Sequence, residues 1–74
     1  MLENISEEEY NEAQSKLPEL RKRLFDVRYE MALTRDVDKL EDLGAKVKLI
    51  KKDIARTLVI INEYEMLNNG RKMN

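Results

Sequence analysis

Apolar side chains recur along the first half of the chain in steps of three and four: Tyr10, Ala13, Leu17, Leu20, Leu24, Val27 and Met31. That alternation is the seam of a helix that lies lengthwise against another helix. Ser6 followed by Glu9 reads as a capping box, and Glu7, Glu8 and Glu9 occupy the first turn, where the helix dipole favours anions. The pattern predicts a first helix over roughly residues 6–34. Pro18 lies inside it and removes one backbone hydrogen bond, so a kink is expected near Pro18, or a split into two helices. A second seam runs Val47, Ile50, Ile54, Thr57, Ile61 and Tyr64. It predicts a helix over roughly residues 46–68, ended by Asn68, Asn69 and Gly70.

Residues 35–45 read as the connection. Asp36 and Asp38 are available as caps, Lys39 to Leu43 could form a helical turn, and Gly44 reads as a C-cap or hinge. Residues 69–74 are expected to be a loose tail. The expected fold is therefore all-α: two long antiparallel helices forming a hairpin, in a single domain over residues 1–74. One segment exceeds that account. Leu58, Val59, Ile60 and Ile61 are apolar in succession and so point all round the helix. A two-helix hairpin covers one side of such a run, which leaves the rest for a further helix, a second copy or a partner surface.

Composition agrees with long amphipathic helices: charged residues make up 39% of the chain and apolar residues 42%. A chain of 74 residues builds only a small core, worth roughly 3–5 kcal/mol. With no cysteine there is no disulfide or zinc–thiolate site, and with no histidine the commonest general base and metal ligand is missing. Glu7, Glu8, Glu9 and Glu12 could be drawn as metal ligands, but they fit a dipole-matched surface turn better. No catalytic constellation, metal site or cofactor is expected, and no small-molecule substrate. No apolar run approaches the ~18 residues of a membrane span, and the acidic N-terminus resembles neither a secretory signal nor a transit peptide.

The net charge of −1 hides an asymmetry: residues 1–19 carry −5 and residues 20–74 carry +4. Arg21, Arg28 and Arg35 recur every seven residues, with Phe25 and Ala32 between them on the same face. On the second helix Lys48, Lys52 and Arg56 are spaced i, i+4, i+8, beside Lys51. Arg grips phosphate with two donors and Lys acts as a point charge. Helices carrying such stripes suit folded RNA, which is read largely by shape and backbone. The plain alternative is that the stripes are solvated faces.

Two stretches resemble one family. Leu24-Phe25-Asp26-Val27-Arg28-Tyr29 is similar to the Leu-Phe-x-Leu-Arg-Phe run of large ribosomal subunit protein twenty-nine, whose eukaryotic members are called protein thirty-five. Ile50-Lys51-Lys52-Asp53-Ile54-Ala55-Arg56 resembles that family's basic pair followed by x-Ile-Ala-Arg. The continuation Thr57 to Glu63 looks like the archaeal and eukaryotic branch. The likeness spans residues 5–65. Arg35 to Leu43 departs from it as an insertion in place of the family's usual Thr-Gly turn.

The resemblance implies a structural constituent of the large ribosomal subunit in the cytoplasm. It also implies binding to ribosomal RNA near the polypeptide exit tunnel, beside neighbouring ribosomal proteins and the docking sites of nascent-chain factors such as signal recognition particle. Arg28, Lys51, Lys52 and Arg56 match positions expected to face RNA, whereas Leu24, Phe25, Ile54 and Ala55 match packing positions. The expected RNA-binding set is Arg21, Arg28, Arg35, Lys48, Lys51, Lys52 and Arg56. The competing reading is a protein-only helical hairpin adaptor or an oligomeric coiled-coil module.

Overall fold

The computed structural model describes residues 5–72, and side chains as far as residue 68. Two helices make up the described residues: α1, Glu7–Leu33, and α2, Val37–Lys72. They pack antiparallel along their length in a body of 56 × 21 × 19 Å. The long dimension is close to that of the longer helix, since 36 residues rise about 54 Å at ~1.5 Å each.

α1 begins as its sequence requires. Ser6 Oγ accepts from the Glu9 amide at 3.1 Å, and the Ser6 amide donates back to Glu9 Oε1 at 3.5 Å. The helix then runs unbroken through Pro18 to Leu33, as one helix and not the alternative of two. Pro18 is exposed, on the flank beside Leu17, where water can satisfy the carbonyl that loses its partner.

The connection is much shorter than residues 35–45. Only Thr34, Arg35 and Asp36 lie between the helices. Thr34 closes α1, its amide donating to the Met31 carbonyl at 3.3 Å and its hydroxyl to the Glu30 carbonyl at 2.8 Å. Asp36 opens α2: its Oδ1 accepts from the amides of Asp38 at 3.0 Å and Lys39 at 3.5 Å. α2 passes through Gly44 without a positive φ. The physical reason is the seam itself. Leu40 and Leu43 extend the rhythm two steps toward the N-terminus, and Leu43 is 4% exposed. Burying a leucine is worth roughly 1.5–3 kcal/mol, more than the ~1 kcal/mol that a mid-helix glycine costs. At the other end α2 continues past Asn68 to Lys72, so the helix extends into the expected tail. Residues 73 and 74 of that tail lie outside the described residues.

The core is the two seams and little else. Tyr10, Ala13, Leu17, Leu20, Leu24, Val27 and Met31 on α1 are all buried or half-buried, as are Val47, Ile50, Ile54, Thr57, Ile61 and Tyr64 on α2. Ala13, Leu20, Leu43, Ile50 and Ile61 are the buried apolar residues among those described, and no side chain is buried completely. Thr57 is buried because its hydroxyl donates to the Asp53 carbonyl at 2.8 Å, which removes its polar penalty. The 58–61 run is distributed as expected: Ile61 enters the seam, Leu58 and Ile60 flank it half-buried, and Val59 is 52% exposed.

Candidate nucleic-acid interface

The seam divides each helix into two flanks and a back. Residues that directly precede a seam residue share one flank, and residues that directly follow one share the other. Glu9, Glu12, Lys16 and Arg23 precede seam residues on α1, as Lys46, Leu49, Asp53, Arg56 and Ile60 do on α2. These residues line two grooves on the same side of the hairpin. Gln14 and Glu65 follow seam residues, and they meet on the opposite side. There Gln14 Nε2 donates to Tyr10 Oη at 2.9 Å, and Tyr10 Oη donates to Glu65 Oε2 at 2.8 Å. Preceding thus faces preceding, and following faces following.

This division sorts the expected RNA-binding residues. Arg21 and Arg28 follow Leu20 and Val27; Lys48 and Lys51 follow Val47 and Ile50. All four are exposed and share the following flank. Arg35 lies in the connection between the helices, exposed. Lys52 lies on the back of α2, and Arg56 lies on the preceding flank. A step of four residues advances about 40° round a helix, so Lys48, Lys52 and Arg56 share an outer sector of about 80° centred on the back of α2, reaching from the edge of one flank to the edge of the other.

The two flanks differ in charge where it matters. Over residues 18–33 of α1 and 40–56 of α2, the following flank carries Arg21, Arg28, Lys48 and Lys51 against a single carboxylate, Glu41. The preceding flank of the same span mixes Arg23, Lys46 and Arg56 with Glu19, Asp26, Glu30, Asp42 and Asp53. Arg56 shares its groove with Glu9, Glu12 and Asp53, which offset its field.

Two residues matched to packing positions lie elsewhere. Phe25 is 68% exposed, and Ala55 is exposed; each directly follows a seam residue, so each sits outside the interface between the helices. Leu24 and Ile54 do pack in the seam. Phe25 instead pairs with Tyr29, ring centroids 6.5 Å apart and planes 12° from parallel, on the outer surface of α1. The signal was available in the spacing, because Phe25 and Tyr29 fall off the three-and-four rhythm.

Among the described residues, no group of acidic side chains is arranged to hold a metal ion, and no helix is long and apolar enough to cross a membrane. Comparison with curated proteins and with solved structures gives no match. A family model described as "Ribosomal L29 protein" matches residues 2–63.

Proposed function

Because this chain belongs to the ribosomal L29 protein family and is thereby a structural component of the large ribosomal subunit, we propose that it binds ribosomal RNA through the cationic flank of the hairpin, near the polypeptide exit tunnel. As a cytoplasmic ribosomal component its surroundings are ribosomal RNA and neighbouring ribosomal proteins. The observation that carries the RNA assignment is the charge division between the flanks. Arg21, Arg28, Lys48 and Lys51 form a cationic strip across both helices, with Glu41 the one carboxylate on that flank over the same span. A polyanion docked there releases counterions from each phosphate it commits. On the opposite flank it would meet five carboxylates over the same span.

The exit-tunnel position, and proximity to signal recognition particle and other nascent-chain factors, rest on family membership alone. The half-exposed run around Val59 supports a second contact, with a neighbouring protein. The test is co-sedimentation of the full chain with large ribosomal subunits across a salt series, alongside a variant with Arg21, Arg28 and Lys51 changed to Ala. The native chain should travel with the subunit and leave it in high salt, and the variant should leave at lower salt. If the chain never sediments with the subunit, or if both proteins dissociate identically, the cationic flank is a solvated face and the adaptor reading replaces this one.

A further inference from the structure

We propose that Phe25 is a stacking platform for an unpaired nucleobase of RNA; this deepens the reading above and rests on it. On a helix surface the neighbours of a residue are those three and four positions away. For Phe25 these are Arg21, Lys22, Arg28 and Tyr29: three cations and an aromatic ring. Phe25 is 68% exposed and Tyr29 61% exposed, their planes 12° from parallel. A lone exposed phenylalanine needs no explanation. One flanked by cations is different, because an apolar protein surface closing over it would have to desolvate three charges of which only Lys22 has carboxylates within helical reach, Glu19 and Asp26.

A single-stranded or looped-out segment of RNA satisfies both features at once. Its phosphates engage Arg21, Lys22 and Arg28, while a base presents its π-face to the ring. Phe25, Arg21 and Arg28 lie on the cationic flank with Lys48 and Lys51, and Lys22 and Tyr29 extend the site onto the back of α1, so the same RNA can reach both helices. Stacking carries no hydrogen-bond code, so the platform is selective for an unstacked base over a paired one and tolerant of which base it is.

The experiment uses the full chain and deproteinised large-subunit ribosomal RNA. Phe25→Leu keeps the apolar bulk and removes the π-face. It should weaken binding about tenfold, the loss of one stacked base, with the salt slope unchanged because no phosphate contact is lost. Phe25→Trp should bind like the native protein. The native chain contains no tryptophan, so the introduced indole reports alone, and its emission should be quenched when RNA is added. The same substitution at Val59, on the back of α2, should show no quenching. Native binding with Phe25→Leu equally tight and Phe25→Trp unquenched would overturn the platform and leave the RNA interface standing. Normal RNA binding by Phe25→Leu combined with its loss from assembled subunits would also overturn it, by showing that a protein covers the ring. Failure of the native chain itself to bind the RNA would remove the broader reading, and the platform with it.

Discussion

Tyr10 and Tyr64 stack across the end of the hairpin opposite the loop, ring centroids 4.2 Å apart and planes 17° from parallel. This pair fixes the register of the two seams at the point where the helices would otherwise fray. The Tyr10 hydroxyl is also the centre of a short polar chain, accepting from Gln14 and donating to Glu65.

That chain makes the fold sensitive to alkali. The hydrogen bond to the Glu65 carboxylate raises the Tyr10 pKa, helped by partial desolvation and by the charges of Glu65 and Tyr64. The folded protein therefore holds this proton to higher pH than the unfolded chain does. The stability it contributes is fully present below the unfolded value of about 10 and is lost as pH rises through the folded value. The melting temperatures of native protein and Tyr10→Phe, measured from about pH 8 to about pH 11, should differ at the lower end and converge at the upper. A constant gap would mean that the hydroxyl contributes nothing through ionisation.

Gly44 is the clearest place to stabilise the protein. It lies within α2, its φ is not positive, and a Cβ built there meets nothing within 4 Å. Gly44→Ala should add about 0.5–1 kcal/mol by helix propensity alone, which for a domain of this size raises Tm by roughly 2–8 °C. Thermal melts by circular dichroism decide it. A lower Tm would show that the fold needs the glycine's freedom after all.

The same glycine shows which parts of the fold could be read in advance. The seam residues were legible because burial between two helices imposes the three-and-four spacing that the sequence displays. The loop was not, because Gly44 carries local punctuation that disagrees with the longer pattern. Leu40 and Leu43 continue the rhythm backward through it, Asp36 caps the helix before it, and tertiary burial overrides the propensity of a single residue. The basic residues were identifiable as a set, but their partners across the hairpin were not. The seam of α2 alone separates Lys51 from Arg56; which residues of α1 each of them joins follows from the antiparallel pairing. Phe25 is the opposite case, where a motif suggested packing and the residue's own spacing suggested the surface.

With one layer of seam contacts and no fully buried side chain among the described residues, the isolated chain has little stability to lose. Leu20 is 4% exposed and Leu49 is 64% exposed. Leu→Ala in a packed site costs roughly 2–5 kcal/mol, comparable to the whole ~3–5 kcal/mol that so small a core supplies. Leu20→Ala should therefore lose most of its helical circular dichroism at 25 °C, whereas Leu49→Ala should stay within about 0.5 kcal/mol of the native protein. Similar losses at both positions would mean that Leu49 is covered in solution by a second copy, which a concentration-dependent melt would reveal.

Lys51 and Arg56 lie five residues apart on α2 and resemble the same family motif, yet the structure separates them. Lys51 sits on the cationic flank with Arg21 and Arg28, while Arg56 lines a groove with Lys16 and three carboxylates, Glu9, Glu12 and Asp53. A cation hemmed by carboxylates adds little to the field that an approaching phosphate meets, and withdrawing it toward RNA uncovers the acids. In binding to deproteinised large-subunit RNA, Lys51→Ala should weaken affinity and flatten the slope of log K against log salt by about one unit. Arg56→Ala should leave that slope unchanged. The comparison is sharpest at low salt, where exposed charges are least screened. If Arg56→Ala flattens the slope as much as Lys51→Ala does, RNA wraps over the back of α2 and engages Lys48, Lys52 and Arg56 as one stripe, and the cationic flank is only part of the interface.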